Sequence, residues 1–196
     1  MIHHPDVRLR TALEAGIARD PAALPELIER CGVEPDFSVR DTLTWAITRY
    51  PASSTVPLLL AELGSEVPQA RSQALHTLSK IGADATWPAI TRELLTDADD
   101  EVARSAWRTA VVLVPDDERA ALARVLVTQF GRGDEDVRRS LSRALVALGD
   151  DATAAVTAVR THAEATMRLA ADPDSGFAAN LDQARRVVAL GPEGAP

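Results

Sequence analysis

Cysteine is nearly absent. Cys31 stands alone among 196 residues, so no disulfide can form within the chain. That usage suits a reducing compartment, and a cytoplasmic location is the expectation. Aromatic residues make up only 4% of the chain, against 46% for all apolar types. A core rich in alanine and leucine points to packed helices rather than sheets. Basic residues are also in deficit, with 21 Lys and Arg against 29 Asp and Glu and a net charge of −8. Such a balance opposes sequence-independent attraction to a polyanion, which disfavours nucleic acid as a partner. No apolar run approaches the ~18 residues of a membrane-spanning helix, so no membrane association is expected. The opening Met1-Ile2-His3-His4-Pro5 lacks the charged and apolar regions of a secretory signal.

Several kinds of chemistry are missing as well. There is no glycine-rich phosphate loop and no Gly-x-Ser-x-Gly elbow. Asp97, Asp99 and Glu101 alternate, but the glycine and closing glutamate of a calcium loop are lacking. His3 and His4 have no third ligand nearby and belong to a frayed terminus, and His162 is isolated on its helix. Cys31 has no neighbouring histidine to activate it. No catalytic residue, metal ligand or cofactor is therefore assigned.

What is present is repetition. Around Arg40, Arg71, Arg104 and Arg138 the chain restates one pattern: a small apolar residue, the arginine, then mostly apolar positions three, six and seven residues on. The arginines are separated by 31, 33 and 34 residues. A fixed period of this length is the signature of a helical repeat array. Counting from each arginine, Val39, Leu43, Ile47 and Tyr50 form one stripe, as do Ala103, Trp107, Val111 and Val114. Those stripes are the expected core, with Ala46, Ala110 and Ala144 allowing close helix approach. Trp87 and Trp107 are read as core. Each hairpin alone leaves its stripe half covered, so stacking must supply stability.

The punctuation agrees with this period. Asp36, Asp100 and Asp134 stand where an N-cap carboxylate is expected, and Ser65 is placed as a cap for the helix that follows it. Pro25, Pro57 and Pro88 are expected near the starts of first helices. The array divides into an N-terminal cap helix over 5–20, four repeats over 21–149 and a divergent C-terminal hairpin over 150–190. That hairpin comprises a long helix to Ala171, a turn through Gly176 and a last helix from Phe177 to Leu190. A flexible tail follows over 191–196. The whole is expected to be a single domain of about five helical hairpins by this repeat count. The motif arginines are expected to bridge to aspartates in adjacent turns.

The pattern Asp-x-x-Val-Arg-x-x-Leu/Ala with a closing glycine resembles HEAT repeats, in particular the short bacterial HEAT-like kind, over roughly residues 5–149. The resemblance implies an all-α, armadillo-like right-handed superhelix whose second helices line a concave face. It implies a protein-binding scaffold rather than an enzyme. The expected exposed positions of the motif helices are Trp45, His76, Thr109 and Arg143 in one row and Arg49, Lys80, Leu113 and Ala147 in another, with Arg108 and Arg139 nearby. The candidate binding ridge is Trp45, Arg49, His76, Lys80, Arg108, Arg139 and Arg143, and its expected partner is a protein or an acidic peptide. HEAT-like proteins also include a class of alkyl-base DNA glycosylases and lyase subunits that need a partner chain. The glycosylase alternative rests on Asp41 and Trp45, one helical turn apart but in the reverse of that family's order.

Overall fold

Alternating caps and breakers cut the chain into short helices. The computed structural model describes residues 4–171 and Arg185. The helices are α1 (Pro5–Ala18), α2 (Leu24–Val33), α3 (Phe37–Thr48), α4 (Ala52–Glu62), α5 (Pro68–Ile81), α6 (Arg92–Leu95), α7 (Asp100–Leu113), α8 (Arg119–Leu126), α9 (Glu135–Ala147) and α10 (Asp150–Ala171). No β-strand occurs among the described residues. The expected turn over 172–176, the helix from Phe177 to Leu190, the tail over 191–196 and His3 lie outside the described residues.

Local chemistry fixes most boundaries. The Asp36 carboxylate accepts the amides of Ser38 and Val39 and caps α3, and Asp134 accepts Val137 and caps α9. Gly82, in the left-handed region at φ 66°, closes α5. Three expectations fail here. Residue Ser65 is not a cap: Val67 is, and the Ser65 hydroxyl accepts the Val67 amide from outside the helix. Pro57 lies well inside α4 rather than in its first turn. Pro88 falls in a 3-10 segment over Asp84–Ala89, so the expected helix there is reduced to that segment and the single turn of α6.

Helices α1, α3, α5, α7 and α9 pack successively in one row. Helices α2, α4, α6, α8 and α10 cover the other side. Apolar residues from both layers form two adjoining cores. One joins α1 to α5 through Leu27, Leu43, Ile47 and Leu78. The other joins α5 to α10 through Leu75, Trp107, Leu126 and Leu145. Trp107 is wholly buried and its indole N–H donates to the Leu95 carbonyl at 2.8 Å. Trp87 is only partly buried and packs on the rim of the same core. Helices α1 and α3 approach closely at Gly16, where a Cβ would stand 2.5 Å from Trp45 Cζ3 and 2.8 Å from Ala46 Cα.

The arginine register departs from the sequence reading in α7. The cap of that helix is Asp99, which accepts the amides of Glu101 and Val102, and not Asp100. Counted from the caps Asp36, Val67, Asp99 and Asp134, the fourth residues are Arg40, Arg71, Ala103 and Arg138. Arg104 is thus one residue ahead of its supposed equivalents. One residue on a helix is a rotation of about 100°. Thr109 and Leu113, expected to be exposed, are therefore buried at 0% and 3% accessibility. Thr109 takes the place of Ala46, Thr77 and Ala144, and its hydroxyl lies 2.8 Å from the carbonyls of both Leu75 and Ser105, tying α7 to α5.

The fourth-residue arginines do not all bridge to aspartates. Arg71 forms a fork on Asp97, at 3.1 and 3.2 Å. Arg8, the fourth residue after the cap of α1, forms the same fork on Glu34, at 2.9 and 2.8 Å. In both junctions the acid lies two residues before the next cap and also accepts an amide there, from Asp36 or Asp99. At the junction after α3 the corresponding residue is Ser65, and Arg40 turns to the carbonyls of Glu34 and Pro35. Arg138 stays on the Asp134 carbonyl. After α7 the polarity reverses: the residue two before the cap is Arg132, which reaches back to Asp100 at 2.7 Å.

Glu34 is the most buried of these carboxylates, with no accessible side-chain surface. Burial pushes its pKa up, but hydrogen bonds from Arg8, the Asp36 amide and Arg30, with the charge of Arg8, more than reverse this. The net result holds the carboxyl at about 2, from 4.5.

Candidate functional site

The helix register decides what α3, α5, α7 and α9 display. The fifth residues after the caps are Asp41, Ser72, Arg104 and Arg139, and the ninth are Trp45, His76, Arg108 and Arg143. Fifth and ninth residues are one turn apart and share a face of each helix, although Ser72 is buried and α5 presents only His76 there. The thirteenth residues are Arg49, Lys80, Val112 and Ala147. Because the helices pack in sequence, these positions make a continuous row. Trp45, Arg49, Lys80, Arg108, Arg139 and Arg143 are exposed, whereas His76 is partly covered.

One end of the row is aromatic. Trp45 is 40% accessible, held on one edge by the close approach of Gly16. The Arg49 guanidinium lies 6.0 Å from its ring centroid, within cation–π range. In the middle, burial lowers the His76 pKa, the charges of Lys80 and Arg108 lower it further, and Asp41 opposes them. His76 is accordingly neutral near pH 7 and offers one donor and one acceptor.

The other end is a cleft of about 240 Å³ between α7 and α9, walled by Arg104, Arg108, Arg139 and Arg143 with Asp136 and Ser140. The sequence reading placed Arg108, Arg139 and Arg143 on the ridge but missed Arg104, having assigned it to a structural role. The signal was available: Arg104 and Arg108 are spaced by four, as are Arg139 and Arg143. Arg104 pairs with Glu101, and Arg139 with Glu135, each within its own helix. Burial and the adjacent Arg104 push the pKa of Arg108 down.

Other candidates are inert. Cys31 is buried among Arg40 O, Thr44 and Gln73, and burial raises its thiol to about 11. It has almost no thiolate at neutral pH. His4 contacts Asp6 at the exposed start of α1. No group of three or more potential metal ligands occurs among the described residues. No helix there is long and apolar enough to cross a membrane.

The two layers of short helices, linked by recurring arginine–acid junctions, define an α-helical repeat protein. Residues 33–111 match the sequence family of HEAT repeats, and the packing of the described helices is that of a HEAT-like array. HEAT repeats generally serve as protein-interaction scaffolds. No curated protein matches the chain significantly.

Proposed function

We propose that this protein is a non-enzymatic scaffold that binds an acidic segment of a partner protein along the outward row of α3, α5, α7 and α9. On this reading the chain is one HEAT-like domain, with α1 as its N-terminal cap. The observation that carries it is the row itself, in which Trp45, Arg49, His76, Lys80, Arg108, Arg139 and Arg143 follow one another across four helices. Packing needs none of the charged members, since the buried stripe lies elsewhere on each helix. Aromatic and arginine side chains are common anchors of protein interfaces. The row is basic on a chain whose net charge is −8, so attraction is directed to one face.

Arg49→Glu with Lys80→Glu reverses two exposed charges and is expected to leave the fold intact. Wild-type protein should retain acidic partners in a salt-sensitive manner, and the double variant should lose them. Retrieval of the same partners at wild-type levels would place binding elsewhere. Excision of alkylated bases by wild type, lost in Asp41→Asn, would replace the scaffold reading by an enzymatic one.

A further inference from the structure

We propose that the cleft between α7 and α9 is a binding site for a phosphate monoester dianion carried on a side chain of the partner protein. The inference rests on the scaffold reading for the identity of the partner, and on the cleft alone for the chemistry.

The cleft repeats one arrangement. Arginines occupy the fifth and ninth positions after the cap in both α7 and α9, where α3 has Asp41 and Trp45 and α5 has Ser72 and His76. Like charges spaced by four on a helix destabilise it, and here the pairing occurs on two neighbouring helices facing the same space. The core gains nothing from it, since Arg108, Arg139 and Arg143 are exposed.

Their hydrogen bonding within the protein is incomplete. Arg104 Nε is buried and has no hydrogen-bond partner. Arg143 makes no hydrogen bond or ion pair with any described residue. Arg108 turns its donors to the Arg104 carbonyl at 3.2 Å and the Ser105 hydroxyl at 3.3 Å, and meets no carboxylate. Glu101 and Glu135, the partners of Arg104 and Arg139, sit on the rim with side chains 62% and 80% accessible. Pairs so exposed are weak and are easily exchanged for a stronger acceptor.

A phosphate monoester fits this donor set better than a carboxylate does. It presents three acceptor oxygens and nearly two charges, and guanidinium forks bind it in bidentate fashion. The cleft holds about 240 Å³, room for one compact dianion and not for an extended polyanion.

The test is calorimetric titration of the full chain, in chloride buffer, with a short alanine peptide bearing one phosphoserine. Parallel titrations use the serine and glutamate versions, inorganic phosphate and a single-stranded oligonucleotide. The phosphopeptide should bind once per chain and at least about tenfold more tightly than the serine or glutamate peptide. Binding should weaken as pH falls below about 6, where the dianion takes up a proton. Arg108→Gln with Arg143→Gln should reduce affinity at least about tenfold with an unchanged circular dichroism spectrum. Arg108→Lys with Arg143→Lys keeps the charge and loses the forks, and should also bind more weakly than wild type. The proposal is overturned if phosphorylation makes no difference, or if the glutamine variant binds like wild type. Inorganic phosphate binding as tightly as the phosphopeptide would make this a site for the free ion and remove the partner. Tighter binding of the oligonucleotide through the same arginines would make it a polyanion groove. Failure of the scaffold reading leaves phosphopeptide affinity intact, and Arg49→Glu with Lys80→Glu should not change that affinity. Failure of this site leaves the capture of acidic partners intact.

Discussion

Replacing Glu34 by glutamine tests how the array is held at its first junction. Four donors converge on this carboxylate: two from the Arg8 fork, Arg30 Nε at 3.1 Å and the Asp36 amide at 3.0 Å. Glutamine keeps the shape but turns an NH2 group toward donors that previously met an acceptor. It also removes the charge that the Arg8 guanidinium, whose side chain is only 9% accessible, meets in its fork. Removing one partner of a buried ion pair costs about 3–5 kcal/mol. The pH dependence sharpens the test. The Glu34 pKa is lowered from 4.5 to about 2 on folding, so the unfolded chain takes up this proton at higher pH than the folded one. Its contribution is complete above roughly pH 5 and is lost as pH falls toward 2, amounting to about 3 kcal/mol in total by linkage. About 2 kcal/mol of that should already be gone at pH 3. Urea denaturation followed by circular dichroism, at a series of pH values between neutrality and 3, gives the difference between wild type and Glu34→Gln. All other carboxylates cancel in that difference. The gap should be widest at neutral pH and should narrow steadily on acidification. A gap that stays constant down to pH 3 would show that Glu34 is not held ionised by the Arg8 fork.

Two further substitutions probe the second core and the edge of the ridge. Trp107→Ala should cost about 3–5 kcal/mol, because it empties a fully buried site and leaves the Leu95 carbonyl without its donor; an unchanged denaturation midpoint would contradict this burial. Gly16→Ala should lower stability by about 1–3 kcal/mol through overpacking and shift the fluorescence of Trp45, since its Cβ would overlap the indole and the α3 backbone; an unperturbed emission spectrum would show that α1 and α3 are not in close contact there.

The repeat and its apolar stripes were legible because both follow from periodicity, which one-dimensional sequence records directly. Val39, Leu43 and Ile47 are buried as their spacing requires. The α7 register was not legible. Asp99 and Asp100 are equally good caps by residue type, and only the packed structure chooses Asp99. That choice of one residue buried Thr109 and Leu113, which are expected at the surface if Asp100 is the cap. The junction pairs were also hidden. Arg8 and Glu34, like Arg71 and Asp97, are 26 residues apart, so their meeting depends on where the intervening helices turn. Helix α6 was overestimated because Trp87-Pro88 has helical neighbours in sequence, while the chain there takes a 3-10 path. Of the candidate site, the exposed residues of single helices were readable, but the four-arginine cleft required knowing that α7 and α9 are neighbours.

The reversed junction after α7 has a consequence for the order of the repeats. If α9 docked directly on α5, omitting α7, Arg71 would face Arg132 where it now meets Asp97. Two guanidiniums would then be pressed together in a place with little solvent. At this seam the junction charges thus admit the correct neighbour and reject the next one along. A helical array built from similar units is prone to slip by whole repeats as it folds, or to exchange units between chains. Here such slippage past α7 carries an electrostatic penalty. Removal of α7 by shuffling of the units would need the charges at this seam to be rewritten along with it.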